Sequence, residues 1–365
     1  MEAAGLVHTV LTDNATTAPG KPETLTQNTI PLGGKGGSAA LPNADIYTPG
    51  AGAQAEGTLI LIPGAAPAGK DHPELVAFAQ LMAKARFRVV IPDLMALRRL
   101  AMSSRDVSDI EQVVDAVAAQ CTGDAAGSLG LMALSYAAGP TILAAGARPT
   151  VRFIVAVGGY YDLEAAIAYL TTGAYETAQG WRKHAPNPYG VWAFARSNAR
   201  WLRNEEDRRA LREIARVKLR NPNADISGLA GGLGPEGRAV LALMTNRDPA
   251  RVPALISALP AAIRAEINAL DLSRHDLTTL KAALLLVHGR DDRMIPYTES
   301  MALARAARNA GRRARLVLFD SLMHVEWADT TLLKRVGDGL RLWRTFTALL
   351  AHRDHMPPPT DCFGR

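Results

Sequence analysis

The sequence predicts an α/β architecture: a mostly parallel sheet flanked by helices, with a helical insertion between two of its strands. Three observations point there. Six short runs are continuously apolar, the pattern of strands buried on both faces. The segments between most of them repeat apolar residues at helical spacing, so strands and helices alternate as in βαβ units. That alternation stops between about 160 and 280, where the pattern is helical alone. Such a stretch is far longer than the ~15 residues beyond which structureless loops are uncommon.

Taken in order, residues 1–23 are polar and rich in Thr, Ala and Pro, and read as a flexible arm. Thr24–Ile30 and Ala44–Thr48 are two weak strands joined through Gly33-Gly34-Lys35-Gly36-Gly37. A phosphate-binding loop needs a helix opening on its lysine; here Leu41-Pro42 follows, so the glycines read as a turn. The strong strands are Thr58–Ile62, Arg88–Ile91, Leu129–Ala133, Phe153–Val157, Ala283–Val287 and Arg315–Phe319. Pro73–Lys84 places Leu75, Phe78, Ala79 and Met82 on one helical face. Val107–Ala119 has a start signal at Ser108 and Asp109. Ser300–Ala310 and Leu332–Leu350 complete the helices of the sheet layer. This division assigns 24–158 and 279–352 to the core and 159–278 to a helical cap. Residues 353–365, with Pro357-Pro358-Pro359, form a tail that cannot continue a helix.

Composition removes several classes. The 365 residues are 48% hydrophobic and 21% charged, ordinary globular usage rather than disorder. No run approaches the ~18 apolar residues of a membrane span. No basic segment followed by an apolar one opens the chain, so the expected location is cytoplasmic. The net charge of +6 is mild. In the basic stretch Arg200–Arg220 the cations alternate with Glu205, Glu206, Asp207 and Glu213, the mark of a solvated helix face. Without zinc spacing, an RNA-binding aromatic motif or a basic block, no nucleic-acid partner is expected. Cys121 and Cys362 are too few for a disulfide framework and read as free thiols. No metal-ligand spacing and no internal repeat are visible, and the oligomeric state is left open.

The third strong strand runs into Ala133-Leu134-Ser135-Tyr136-Ala137, followed by a helical pattern. A serine at a sharp strand-to-helix turn is a nucleophile elbow. The turn strains the serine backbone, so the residues two before and two after must be small; alanines stand at both. It sets the Tyr136 N–H and a helix N-terminus beside a developing oxyanion. A hydroxyl near pH 7 needs a base held by an acid. Two other strand ends supply them: Val287 leads to Asp292, and Phe319 to His324. In a parallel sheet the residues just after strand C-termini gather on one edge. Asp291 and Asp162 are weaker candidates for the acid. His288 reads as a structural strand-end residue, His72 as a helix start, and the role of His184 is open. A second oxyanion donor should come from Pro63-Gly64-Ala65-Ala66, with the Ala65 N–H favoured and Ala66 next.

Together the Pro63-Gly64 loop, the Ala-x-Ser-x-Ala elbow, the His288-Gly289-x-x-Asp292-x-x-Ile295-Pro296 segment and His324 resemble the α/β-hydrolase superfamily of serine hydrolases, particularly esterase-like members with a helical cap. The resemblance covers roughly 44–158 and 279–350. It departs from the common pattern in two places: both elbow glycines are alanines, and Pro63 replaces a histidine. It implies the α/β-hydrolase fold and a Ser135–His324–Asp292 catalytic triad. In that family the aspartate is the triad acid and the following Ile/Val-Pro turn holds it. The expected activity is that of a carboxylic ester hydrolase working through an acyl-enzyme, with no cofactor. The aromatic cluster that opens the insertion suggests an apolar pocket for part of a small-molecule ester, with Tyr160, Tyr161, Trp181 and Trp192 as candidate substrate contacts alongside Ala66. An acyltransferase or amidase would use the same triad, and a non-catalytic ligand-binding protein would keep the fold alone. Dehalogenases and epoxide hydrolases are disfavoured, because they carry aspartate at the elbow.

Overall fold

The computed structural model describes residues 3, 26–32, 41–50, 53–120, 128–324, 326–327 and 332–356. The expected arm apart from Ala3, the glycine-rich turn at 33–37, both cysteines and the triple proline lie outside the described residues.

Eight strands form one sheet: β1 (Thr26–Pro31), β2 (Asn43–Thr48), β3 (Gly57–Ile62), β4 (Phe87–Pro92), β5 (Leu129–Leu134), β6 (Val151–Val157), and two that follow the insertion, Ala283–Gly289 and Ala314–Phe319. The spatial order runs β1-β2-β4-β3-β5-β6 and then these last two. Only β2 runs against its neighbours; every other adjacent pair from β4 onward is parallel. Alternation along each strand divides its side chains between two cores. In β3, Ile60 and Ile62 pack with Ile110, Val113 and Val114 of α2 (Arg105–Ala119). Leu59 and Leu61 face the other way, onto Leu75 and Met82 of α1 (Pro73–Lys84) and Phe346 and Leu349 of the C-terminal helix Leu332–Asp354. Each such side chain contributes roughly 1.5–3 kcal/mol by leaving water. Double coverage is why these strands read as unbroken apolar runs.

Helix α2 begins at Arg105, earlier than its expected start at Val107. Ser108 does not cap it; its hydroxyl donates back to the Arg105 carbonyl at 2.9 Å. The C-terminal helix extends four residues beyond the expected Leu350, to Asp354.

Between β6 and the strand at Ala283 lies the insertion, whose core is its own: Val191, Trp192, Leu211, Ile214, Leu243 and Ile263 pack together. It is not wholly helical. A two-stranded hairpin, β7 (Ala174–Thr177) and β8 (Gly180–Lys183), follows its first helix, α4 (Leu163–Thr172), the elbow helix α3 (Ala138–Ala145) having come before β6. Strands of four residues are too short to register as apolar runs. Then come α5 (Pro188–Asn198), α6 (Glu205–Arg220), α7 (Pro235–Thr245) and α8 (Ala261–Leu270), with shorter turns between. The charged α6 is capped by Asn204, whose side chain accepts from the N–H groups of Glu206 and Asp207 at 2.7 and 3.2 Å. Acids in its first turn and bases in its last suit the helix dipole. Asp207 is the exception to the solvated face: it is buried and accepts from the N–H groups of Gly234 and Gly237, tying α6 to α7. Among the described residues no helix is long and apolar enough to cross a membrane.

Gly130 in β5 is required by packing. A Cβ there would stand 2.1 Å from the Phe153 ring. Gly130→Ala is expected to lower unfolding free energy by ~1–3 kcal/mol in urea melts. Gly228→Ala, where a Cβ meets nothing within 4 Å, should change it by less than ~0.5 kcal/mol. Equal effects would show that contact with Phe153 does not set the cost.

Candidate active site

Three strand ends and one loop meet at the C-terminal edge of the sheet. After β5 the chain turns through a 3-10 segment, Ser135–Ala137, straight into α3. Ser135 adopts φ +56°, in the left-handed region that non-glycine residues seldom occupy. Ala133 and Ala137 are fully buried beside it. Gly139 completes the elbow: a Cβ there would lie 2.2 Å from the Tyr160 hydroxyl.

Asp292, the candidate acid, lies in the loop after the strand Ala283–Gly289. Asp292 is 2% exposed. Its Oδ1 accepts from the N–H groups of Met294 and Ile295 at 2.7 and 3.0 Å. Its Oδ2 lies 2.8 Å from Nδ1 of His324 and 3.1 Å from Nε2 of His288. Burial alone would raise this carboxyl. The charge of His324 and the hydrogen bonds from both histidines outweigh it and hold Asp292 well below the usual carboxylate range. Asp291 makes no such contact, and Asp162 is engaged elsewhere, capping α4 through Ala165 N–H at 2.9 Å.

His324 is also in the left-handed region, at φ +58°. A carboxylate only accepts, so Nδ1 carries the proton toward Asp292, and Nε2 is left to accept from Ser135 Oγ at 2.7 Å. The backbone of Gly158 passes close behind; a Cβ there would stand 3.1 Å from His324 Nδ1. The loop bearing His324 is fastened by Asp338, which accepts from the N–H groups of Asp320 and Ser321 at 3.1 and 2.7 Å. Arg341 bridges Asp320 and Asp338 at 2.5 and 2.6 Å. His288 is fully buried, bonded to Ser300 Oγ and the Ile295 carbonyl, which makes it a structural residue. His72 precedes α1 at its N-terminus.

A cavity opens from Ser135. Its wall includes Ala65 and Tyr136, the candidate oxyanion donors, and Tyr160, a candidate substrate contact. The Tyr136 hydroxyl donates to Asp106 Oδ2 at 2.8 Å. Burial pushes the Asp106 carboxyl up to about 6, against the pull of that bond and of Ser103 N–H. Four expected contacts lie elsewhere. Ala66 is not among the residues of the wall, and its carbonyl accepts from Gly69 N–H at 3.0 Å. Tyr161 packs on the sheet core beneath α3 and the helix α9 (Tyr297–Asn309). Trp181, on the hairpin, is 66% exposed. Trp192 is buried inside the insertion with Lys218 over its ring. The wall instead takes Tyr189, Ala193, Phe194, Ser197 and Asn198, one face of α5, with Met102, Met294 and Glu266. The three- and four-residue spacing along α5 carried that signal, and Trp192 falls on its opposite face. Among the described residues no group of three or more His, Cys, Asp or Glu could hold a metal ion.

No protein-family model matches the chain, and no curated protein matches it. Solved structures do. An acylaminoacyl peptidase of Pyrococcus horikoshii aligns over 93% of this chain at 11% identity and TM-score 0.51. A puromycin-hydrolyzing peptidase of Mycobacterium tuberculosis aligns over 94% at 14% identity and TM-score 0.53. This chain has the α/β-hydrolase fold. It spans 43% and 41% of the length of those two proteins. Within this fold the elbow, the Asp292 loop and the His324 loop are the segments that follow three parallel strands.

The insertion's entry is held by another buried carboxyl. Glu299 of α9 is 5% exposed and accepts from the N–H groups of Tyr161 and Asp162 at 3.0 and 2.7 Å. Burial pushes it up to about 7 from an ordinary 4.5; Asp162 adds to the rise, while the two N–H groups and His288 oppose it. Above its unfolded value the native state binds more protons than the unfolded one, so stability falls as pH rises from about 4.5 through about 7. Glu299→Gln keeps both bonds and should remove a loss of up to ~3 kcal/mol from that window. Denaturant melts across the window test this; equal pH slopes in both proteins would contradict it.

Proposed function

We propose that this protein is a serine hydrolase that cleaves a carboxylic ester through an acyl-enzyme. The observation that carries the reading is the unbroken hydrogen-bonded line Ser135–His324–Asp292 at the mouth of a largely apolar cavity. Ser135 Oγ attacks the acyl carbonyl while His324 Nε2 takes its proton. Asp292 orients the imidazole and stabilises the imidazolium. The N–H groups of Tyr136 and Ala65 receive the oxyanion. His324 then protonates the leaving alcohol, activates water, and the acid is released. The scheme draws on no cofactor. In this reading 24–158 and 279–352 form the catalytic core and 159–278 the cap over it. The apolar part of a small ester lies against Tyr160, Phe194 and their neighbours.

A fluorophosphonate probe, which reacts only with an activated serine, should label Ser135, and peptide mass spectrometry locates the adduct. Labelling should vanish in Ser135→Ala and in His324→Ala. Asp292→Asn should lower kcat on nitrophenyl esters by about ten-thousandfold. A folded wild-type protein that takes no label, or takes it at another serine, overturns the reading. Matched ester and amide substrates separate ester hydrolysis from the amidase alternative, and added alcohols or amines reveal an acyltransferase.

The cap also touches the oxyanion loop. The Tyr189 hydroxyl donates to the Ala65 carbonyl at 3.0 Å. Tyr189→Phe frees that peptide, and kcat should fall ~3–10-fold, about the worth of one neutral hydrogen bond, with a smaller change in KM. An unaltered kcat would show that Ala65 is held without the cap.

A further inference from the structure

The proposed mechanism uses the mouth of the cavity and leaves a charged group on its wall without a role. Among the described residues, Glu266 of α8 carries the only formal charge on that wall. Its Oε2 accepts from Ser104 N–H at 2.6 Å and its Oε1 from Ser104 Oγ at 3.1 Å. Its position is therefore fixed, near the hydroxyl end of the Tyr136 ring, whose hydroxyl lies 3.4 Å from the Ser103 carbonyl and is acted on by the Glu266 charge. Each carboxylate oxygen keeps a second lone pair for a further donor.

The rest of the wall has little to give an anion. The Tyr136, Tyr160 and Tyr189 hydroxyls donate to Asp106, to the Leu270 carbonyl and to the Ala65 carbonyl. Ser197 donates to the Met102 carbonyl, and Asn198 spends one amide hydrogen on Phe194. The neighbouring cations, Arg196 and Arg200, are not part of the wall, and their guanidinium groups bond the carbonyls of Arg99, Ala101 and Met102. A carboxylate brought into this space would lose its water, meet Glu266 and find no cation. An ammonium would lose its water and meet a fixed carboxylate.

We infer that the cavity takes an apolar chain or ring ending in an ammonium or other N–H donor, which Glu266 receives, and that it refuses the carboxylate-bearing counterpart. This rests on the esterase reading for the identity of the reacting bond.

Nitrophenyl esters of heptanoic, aminohexanoic and pimelic acid share a five-methylene spacer and end in methyl, ammonium and carboxylate. The wild-type protein should cleave the aminohexanoate with kcat/KM at least ~thirtyfold above the pimelate. Glu266→Gln keeps both Ser104 bonds, because its amide oxygen accepts from the N–H and its amide hydrogen reaches Oγ. In that variant the ratio of kcat/KM on aminohexanoate to that on heptanoate should fall about tenfold. An unchanged ratio, or pimelate cleaved as well as aminohexanoate, overturns the inference. Heptanoate hydrolysis with an unchanged ratio sinks this inference and leaves the esterase reading standing. If no ester is cleaved, the esterase reading falls, and calorimetry with hexylammonium and hexanoate still decides the charge preference: tighter ammonium binding that Glu266→Gln weakens supports it, and equal binding overturns it.

Discussion

A carboxylate taken out of water must be met by donors or it will not stay charged, and Asp292 is met by four. Two are N–H groups of its own turn at Met294 and Ile295; the others are the rings of His288 and His324. Those donors belong to three pieces of chain: the strand end at His288, the turn that follows it and the loop that carries His324. The buried charge thus fixes where each of them sits. Truncating one member of such a cluster leaves the others facing an uncompensated charge, a cost of ~3–5 kcal/mol for buried pairs. The orientation of His324, and through it the bond to Ser135, follows from that arrangement.

The other half of the site is backbone strain. Ser135 and His324 both hold positive φ, each at a cost of about 1–3 kcal/mol. Close packing keeps them there. Ala133 and Ala137 flank the serine, Gly139 admits the Tyr160 hydroxyl, and Gly158 lets the chain pass His324. Alanines at both flanking positions are compatible with the turn because their methyl groups sit inside the core rather than across the reacting face. The elbow and His324 are therefore set by the sheet, whereas the far side of the cavity is set by the insertion. Tyr189 on Ala65, Ser197 and Arg200 on the Met102 carbonyl, and Glu266 on Ser104 are among the ties between the two.

This division explains what could be read from the residues alone. Strands buried on both faces leave continuous apolar runs, which makes five of the six strong ones legible; the edge strand Ala314–Phe319 is only partly buried and shows through its apolar content alone. A parallel sheet dictates that Ser135, Asp292 and His324 share one edge. The insertion obeys no such rule. Its aromatic residues are marked by type and not by direction: Tyr160 and Tyr189 face the cavity, Trp192 points into the insertion's core, and Trp181 faces solvent. Glu266 is invisible in sequence because a single acid on an amphipathic helix looks like any solvated charge. Its contact with Ser104 joins positions 162 residues apart and is made by tertiary packing. The hairpin at Ala174–Lys183 escapes for a related reason, its strands being too short to show a period.

Asp292 holds the His324 Nδ1 proton in a 2.8 Å hydrogen bond shielded from water. Proton NMR reads this directly. A far-downfield imidazole resonance is predicted in the wild-type protein, retained in Ser135→Ala and absent in Asp292→Ala with the fold intact. A wild-type spectrum without that resonance, or one that keeps it when Asp292 is removed, would contradict the account.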